Sequence, residues 1–222
     1  MKSENYIPAL SYDWLTPFYD TVVRLTTREK AFKKALVEHV NVKNEQRALD
    51  LACGTGTLTN LLKVSAPEAE IIGIDGDPRI LGLAKEKARK AGLDIQFNEG
   101  MSFDLPYADC SFERVVSSLF FHHLTRENKL KTLREVKRVL KPGGELHIAD
   151  WGSPANLLMK LMSRFVQLLD GFETTADNFN GLLPRLITEL IKEAGFESVE
   201  ETKSYNTFFG TIRLYKSHKP LN

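Results

Sequence analysis

The chain has 222 residues, with 30 Lys and Arg against 29 Asp and Glu, which gives a formal net charge of +1. This length fits one domain, and the charge balance argues against a nucleic-acid partner or a polybasic membrane patch. The chain has only two cysteines and an N-terminal stretch without a continuous apolar segment. No run approaches the roughly 20 apolar residues of a membrane span. These features predict a cytoplasmic protein with no transmembrane segment, and the cysteine spacing predicts no metal site.

In chain order, the first predicted element is a helical, aromatic-rich segment over residues 1–40. Five short apolar runs then alternate with helical patterns from Gln46 onward. The predicted strands are "RALDLA", "EIIGID", "DIQFNE", "SFERVVSSLFF" and "ELHIADW". The predicted helices are "TLTNLLKVSA", "DPRILGLAKEKARKAG" and "TRENKLKTLREVKRVLKPGG", the last closed by Pro142-Gly143-Gly144. This alternation indicates crossover units and a parallel sheet with helices on both faces.

The remainder of the chain departs from this alternation. Residues 154–194 show helical patterns again, and two β-like runs follow, "SVEETKSY" and "NTFFGTIRLYKSHK". These two runs are close enough in sequence to pair antiparallel.

A glycine turn after the first predicted strand indicates the binding site. In "ACGTGT", Gly54 and Gly56 allow the backbone to approach a ligand closely, and the following helix N-terminus favours an anionic group. Asp75 ends the second predicted strand about 20 residues later, where an acid typically accepts hydrogen bonds from ribose hydroxyls. The pattern therefore indicates a nucleoside cofactor. Thr59 occupies the third glycine position of a dinucleotide motif, which disfavours a nicotinamide-dependent oxidoreductase.

Four consecutive stretches then carry a family resemblance. "ALDLACGTGTLT", "IIGIDGDPRIL", "LPYADCSFERVVSSLFFHHL" and "LREVKRVLKPGGELHIADWG" resemble the motifs of class I S-adenosylmethionine-dependent methyltransferases, over roughly residues 45–152. The chain is similar to the small-molecule branch that includes ubiquinone/menaquinone C-methyltransferases and phospholipid N-methyltransferases. The resemblance implies S-adenosyl-L-methionine as the cofactor and methyl transfer, by in-line displacement, to a small-molecule or lipid acceptor.

The resemblance also implies the architecture. We expect a Rossmann-like, three-layer αβα sandwich with a mostly parallel seven-stranded sheet and an antiparallel C-terminal strand. Its single methyltransferase domain would comprise four parts: an N-terminal helical cover (1–40), a cofactor-binding core (45–152), a helical substrate lid (153–194) and a C-terminal strand pair (195–222).

The resemblance assigns cofactor contacts to positions that match its motifs. Asp50, Gly54 and Gly56 would surround the methionine part, Asp75 would hold the ribose, and further contacts would come from Gly76 and Ile80 at the adenine and from Ser117 and Ser118 near the methyl group. Two positions depart from the pattern. Ala52 stands where glycine is usual, and Met101 stands where an aspartate often binds the adenine amino group. A backbone group near Ser102 would then receive that hydrogen bond.

His122 and His123 directly follow the fourth predicted strand, at the mouth of the predicted site. One of them is a candidate general base or orients the acceptor, if the acceptor must lose a proton. The alternative is that one caps the next helix and the other packs beneath the loop.

The two flanks supply the candidate acceptor contacts. Tyr12, Trp14 and Tyr19 would close over the cofactor, with an aromatic lining the methyl pocket and Tyr19 as a candidate catalytic residue, or they pack an amphipathic helix. Arg28 would bind an anionic acceptor group or lie on a solvated helix face. Phe172 and Glu173, in the loop 168–181, would form part of the substrate lid or of a solvated connection. The competing function is a non-catalytic module that binds S-adenosylmethionine as a regulatory or partner subunit.

Overall fold

The computed structural model describes residues 29–152, 183–207 and 210–221. The helices within these ranges are α1 (Glu29–Val40), α2 (Thr57–Ser65), α3 (Pro78–Lys90), α4 (Arg126–Val139) and α5 (Leu183–Glu193), with a short 3₁₀ turn at Phe121–His123. The strands are β1 (Arg47–Leu51), β2 (Glu70–Asp75), β3 (Gln96–Glu99), β4 (Phe112–Ser118), β5 (Leu140–Gly152), β6 (Glu197–Asn206) and β7 (Thr211–His218).

One seven-stranded sheet organises the fold, in the order β3-β2-β1-β4-β5-β7-β6. Strands β1 to β5 pair in parallel, and β7 pairs antiparallel with both β5 and β6. The predicted fold class is therefore confirmed, including the mostly parallel sheet, the antiparallel C-terminal strand and the pairing of the last two runs.

The register brings several strand ends to one edge of the sheet. Leu51 of β1 lies beside Ile74 of β2 and Ser117 of β4. The strand order reverses between β1 and β4, and ligands of open α/β sheets bind at the carboxyl ends of strands around such a switch point. The same edge includes the end of β5, since Ser118 pairs with Ala149.

Side chains alternate between two apolar layers, one on each face of the sheet. Leu49 and its neighbours on one face pack against α4 and α5 through residues such as Leu133 and Leu190. Ala48 on the other face belongs to the layer that contains Phe32 of α1 and Leu62 of α2. Helices thus cover both faces, which gives the three layers and explains the nearly continuous apolar strand sequences.

Two boundaries differ from the sequence expectations. Helix α4 ends at Val139 and β5 begins at Leu140, so Pro142-Gly143-Gly144 lies within β5 rather than closing the helix. Strand β4 ends at Ser118 because Leu119 adopts a φ of 54°, which turns the chain. The Leu119 N–H donates to the Ala149 carbonyl at 2.8 Å. After β4 the chain therefore forms the helical turn Phe121–His123 instead of continuing as a strand.

Candidate functional site

Two backbone N–H groups of the turn between β1 and α2 donate hydrogen bonds to β2. The Cys53 N–H donates to the Ile74 carbonyl at 2.9 Å, and the Gly54 N–H donates to Asp75 Oδ2 at 2.9 Å. Ala52 has a φ of 55°, which is the left-handed region and explains why the family favours glycine at that position.

The two glycines of the turn have different surroundings. A Cβ on Gly54 would meet no atom within 4 Å, so this glycine borders open space. A Cβ on Gly56 would lie 3.0 Å from the Ala84 Cβ and 3.1 Å from the Phe97 ring. Gly56 therefore serves packing against α3 and β3, whereas Gly54 leaves room for a ligand beside the backbone.

Asp75 is fixed by backbone donors on both carboxylate oxygens. Oδ2 accepts from Gly54, and Oδ1 accepts from the Asp77 N–H at 3.0 Å. Burial raises the pKa of Asp75, and these N–H groups oppose the increase. Because each oxygen keeps a second lone pair, the carboxylate retains the capacity to accept from two neighbouring hydroxyl groups.

The predicted adenine side of the site lies next to Asp75. Gly76 and Ile80 are both partly exposed. A Cβ on Gly76 would lie 3.2 Å from the Met101 sulfur, so Met101 packs against this turn. Ser102 is buried, and its hydroxyl shares a 2.9 Å hydrogen bond with the Thr132 hydroxyl of α4.

Asp50 lies beneath the glycine turn and is only 1% exposed. The Thr59 hydroxyl donates to Asp50 Oδ2 at 2.6 Å. Burial raises the pKa of Asp50 to about 7, and the neighbouring charge of Asp75 adds to the increase, while Thr59 and Lys33 oppose it. The sequence reasoning used Thr59 only to exclude dinucleotide motifs and missed its contact with Asp50.

The two serines at the end of β4 differ. Ser117 is fully buried, and its hydroxyl donates to the Leu51 carbonyl at 3.0 Å, which ties β4 to β1. Ser118, the last residue of β4, is partly exposed at the edge that carries the glycine turn.

A lysine that the sequence reasoning did not single out crosses the glycine turn. Lys87 of α3 donates from Nζ to the Thr55 hydroxyl at 2.8 Å and to the Thr57 hydroxyl at 2.9 Å. Thr55 lies between the two turn glycines, so this lysine links α3 to the turn and to the start of α2.

His122 and His123 lie in the helical turn after β4, at the same edge of the sheet. Their ring centroids are 3.9 Å apart. His122 Nδ1 lies 2.7 Å from Asp150 Oδ1 at the end of β5. Burial lowers the pKa of His123 to about 3, with His122 contributing in the same direction. Thr125 caps α4 by accepting from the Asn128 N–H at 3.3 Å, so the cap of that helix is not a histidine.

The remaining predicted site residues lie outside the described ranges and stay predictions: Tyr12, Trp14, Tyr19, Arg28, Phe172 and Glu173. Across the part of the chain that the structure describes, no helix is both long and apolar enough to cross a membrane. Within the same residues, no group of His, Cys, Asp and Glu side chains is arranged to hold a metal ion.

Comparison with known proteins accords with this geometry. The family described as "Methyltransferase domain" matches residues 48–144. A demethylmenaquinone methyltransferase of Deinococcus radiodurans is 34% identical over 152 residues, which are 68% of this chain and 62% of that relative. The chain thus spans less than two thirds of that relative's length. A demethylmenaquinone methyltransferase of Lactobacillus johnsonii is 30% identical over 218 residues, covering 90% of this chain and 88% of the relative.

A solved S-adenosylmethionine-dependent methyltransferase of Methanosarcina mazei has the same fold. It has a TM-score of 0.66 at 22% identity and covers 84% of this chain and 98% of its own. The chain therefore belongs to the class I S-adenosylmethionine-dependent methyltransferases, and its cofactor is S-adenosyl-L-methionine. Among its relatives are enzymes named for quinone methylation.

The lysine contact across the turn yields a first prediction. In Lys87→Met, the Thr55 and Thr57 hydroxyls lose a charged donor, and the glycine turn loses its link to α3. Since a hydrogen bond to a charged group contributes roughly 1.5–3 kcal/mol, we expect the Kd for S-adenosylhomocysteine to rise about tenfold. Isothermal titration calorimetry measures this change.

Lys85→Met is the matched control, because Lys85 lies on the same helix with an exposed side chain. An equal weakening of binding in both variants would show that general charge, not the threonine contacts, sets the affinity.

Proposed function

We propose that this protein transfers a methyl group from S-adenosylmethionine to a small aromatic acceptor that carries an ionisable hydroxyl, such as reduced demethylmenaquinone. The observation that carries the proposal is the pair of neighbouring imidazoles, His122 and His123, at the carboxyl end of β4. A hydroxyl-bearing acceptor must lose a proton to become a good nucleophile, and an imidazole is the side chain best suited to accept it near neutral pH. The names of the Deinococcus and Lactobacillus relatives support the acceptor class.

The cofactor contacts form part of this proposal. Asp75 accepts the ribose hydroxyls, Gly54 lies along the methionine part, and Asp50 lies near its ammonium group. Gly76 and Ile80 flank the adenine. The backbone near Ser102 binds the adenine amino group, because Met101 stands where an aspartate would otherwise bind it. The fit rests on the open space at Gly54 and on the remaining acceptor capacity of Asp75.

The cofactor supplies an activated methyl group on a sulfonium. The protein's own residues then contribute alignment, removal of water and proton transfer. Ser118 and the histidine turn lie at the end of β4, on the acceptor side of the glycine turn. One histidine takes the acceptor's proton. The nucleophilic atom of the acceptor meanwhile approaches the methyl carbon in line with the carbon–sulfur bond.

The flanking segments complete the acceptor pocket. Residues 1–28 contribute Tyr12, Trp14, Tyr19 and Arg28, and the lid segment contributes Phe172 and Glu173. Because both cysteines are unpaired thiols, a reducing, cytoplasmic location accords with this function.

The test is turnover with defined acceptors. The protein is incubated with S-adenosylmethionine and reduced demethylmenaquinone carrying a short prenyl chain, and S-adenosylhomocysteine and the methylated ring product are followed by mass spectrometry. We expect both products in equal amounts, and none with Asp75→Ala. The controls are the oxidised quinone and phosphatidylethanolamine vesicles.

The possible outcomes distinguish an error in the proposed acceptor from an absence of methyl-transfer activity. Methylation of the phosphatidylethanolamine amine alone would make the aromatic acceptor wrong while leaving methyl transfer in place. Tight S-adenosylhomocysteine binding without turnover on a broad acceptor panel would favour the non-catalytic module instead.

A further inference from the structure

Tyr215 of β7 has a buried hydroxyl group without a hydrogen-bond partner. The residue is 2% exposed, and its hydroxyl oxygen has no partner among the described residues. Buried polar groups are satisfied in the great majority of cases, and an unsatisfied one lowers stability. A ligand or a bound water molecule is the ordinary partner of such a group when the chain itself supplies none.

The register of the sheet places Tyr215 level with the edge that carries the glycine turn. Leu51, the last residue of β1, pairs with Ser117 of β4, which pairs in turn with Ile148 of β5. Ile148 pairs with Tyr215. Because neighbouring strands lie about 4.8 Å apart, β7 lies roughly 10 Å from β4 and roughly 14 Å from β1. Tyr215 is therefore at the level of the site, but separated from the glycine turn by β4 and β5.

Tyr215 also lies on the same face of the sheet as the helical turn after β4. Its side chain belongs to the apolar layer that includes Leu51, Ile148 and Phe121, the first residue of that turn. Side chains alternate along a strand, so Arg213 lies on this face too, two positions nearer to the end of β5. An acceptor beside the helical turn therefore has Tyr215 on the same face of the sheet.

The surroundings of the hydroxyl keep it protonated. Burial raises the pKa of Tyr215, and the charges of Glu201 and Asp150 add to the increase, whereas Arg213 opposes it. The tyrosine is therefore neutral at neutral pH, and its O–H can donate to an oxygen. The charged neighbours bind other groups, since Arg213 Nη1 donates to Glu201 Oε1 at 2.6 Å and the Trp151 N–H donates to Asp150 Oδ1 at 2.7 Å.

We infer that Tyr215 selects acceptors with two ring hydroxyls, because its O–H donates to the ring oxygen on the side away from the helical turn Phe121–His123. In the proposed reaction one hydroxyl of the acceptor loses its proton, while the second keeps its proton and accepts the hydrogen bond from Tyr215. The substrate class is then an aromatic compound with hydroxyls on opposite sides of the ring, rather than a monophenol. This inference rests on the proposed function, because it requires an aromatic acceptor.

The decisive experiment measures acceptor binding to the complex with S-adenosylhomocysteine, in which no methyl transfer takes place. The ligands are reduced demethylmenaquinone with a short prenyl chain and its two analogues that each lack one ring hydroxyl, all under anaerobic conditions. Calorimetry gives the Kd for wild type and for Tyr215→Phe. We expect the variant to bind the dihydroxy compound and one analogue about tenfold more weakly, and the other analogue within about twofold of wild type.

Steady-state kinetics with the dihydroxy acceptor provides a second readout. The hydrogen bond is present both before and during methyl transfer, so Tyr215→Phe should raise KM about tenfold and change kcat less than about twofold. The affinity for S-adenosylhomocysteine should stay within about twofold, because β4 and β5 separate Tyr215 from the glycine turn. The melting temperature should not fall, because the variant removes a hydroxyl without a partner among the described residues.

Ser217→Ala is the matched control. Ser217 lies on the same face of β7, is fully buried, and also has a hydroxyl without a partner in the described part of the chain. It pairs with Leu146, so it lies two positions farther than Tyr215 from the end of β5. Ser217→Ala should leave the Kd of all three ligands unchanged. The control therefore separates loss of an acceptor contact from loss of any buried hydroxyl.

The results that overturn the inference differ from those that overturn the proposed function. If a bound water satisfies the hydroxyl, Tyr215→Phe binds all three ligands as wild type does, and the inference is wrong. Equal weakening for all three ligands, with a lower melting temperature, would show a structural role instead. If wild type binds none of the three, the aromatic acceptor itself is wrong, and the inference fails with it. The expected selectivity in binding without turnover would support the inference and contradict methyl transfer to this acceptor.

Discussion

Replacement of Gly56 by Val is expected to lower the free energy of unfolding by about 3 kcal/mol. Gly56 has a φ of 72°, and a side chain there costs roughly 1–2 kcal/mol in the left-handed region. A Cβ would also lie 3.0 Å from the Ala84 Cβ and 3.1 Å from the Phe97 ring, and overpacking of this kind costs typically 1–3 kcal/mol. Urea denaturation followed by circular dichroism measures the loss.

The neighbouring glycine provides the contrast. Gly54→Ala has the same kind of positive φ, 54°, but its Cβ would meet no atom within 4 Å. We expect a stability loss of only about 1 kcal/mol, together with a loss of S-adenosylhomocysteine affinity of more than tenfold because the methyl group occupies the space for the ligand. Unchanged affinity in Gly54→Ala would mean that the cofactor lies elsewhere.

Replacement of Asp50 by Asn is expected to stabilise the cofactor-free protein at pH 8 by about 2–4 kcal/mol. The pKa of this carboxyl rises from 3.8 to about 7 on folding, because burial disfavours its charged form. Between these two values the folded state holds a proton that the unfolded state releases, so wild-type stability increases as pH falls from about 7 to 4. With about 1.4 kcal/mol for each pH unit, the full difference is roughly 4 kcal/mol.

The test is the free energy of unfolding at several pH values from 5 to 8. Wild type should lose stability as pH rises through this range, and Asp50→Asn, which cannot ionise at this position, should lack that part of the slope. Parallel curves for the two proteins would contradict the raised pKa. The Thr59 hydroxyl can donate to the Asn carbonyl as it does to Asp50, so the substitution preserves this hydrogen bond.

The same substitution should weaken cofactor binding. In the proposed binding mode the ammonium group of the cofactor lies near Asp50 and favours its ionised form, so wild-type affinity should increase as pH rises through about 7, with release of a proton on binding. Calorimetry in buffers of different ionisation enthalpy detects this proton. If Asp50→Asn released as many protons as wild type, another group would be responsible.

Most of the core fold was predictable because its signals are local. Short apolar strands, helical periodicity and the glycine turn each follow from neighbouring residues, and parallel order then determines which strand ends meet. The end of β4 was not predictable in this way. Leu119 adopts a positive φ that its residue type does not favour, and its hydrogen bond to Ala149 comes from a different strand.

The candidate site divides along the same line. Asp50, Gly54 and Asp75 could be proposed from the sequence because they belong to contiguous motifs. Lys87 and Asp150 were missed because their contacts depend on tertiary approach: Lys87 meets Thr55 across 32 positions, and Asp150 meets His122 across 28. The sequence alone does not show which partner a charged residue at a helix surface or a strand end contacts, because that partner is brought close only by the tertiary fold.

The antiparallel strand β7 also has a consequence for how acceptor preference can diversify. It joins β5 by eight residue pairs, from Glu145↔His218 to Gly152↔Thr211. The chain that follows the segment 153–182 is therefore attached to the sheet independently of that segment. Doubling the length of a loop with fixed ends costs only about 0.6 kcal/mol. A change in the number of residues between β5 and α5 therefore leaves the pairing of β5 with β7 in place. If the segment 153–182 forms part of the acceptor pocket, as proposed, acceptor preference can change there while the glycine turn and its contacts with β2 stay the same.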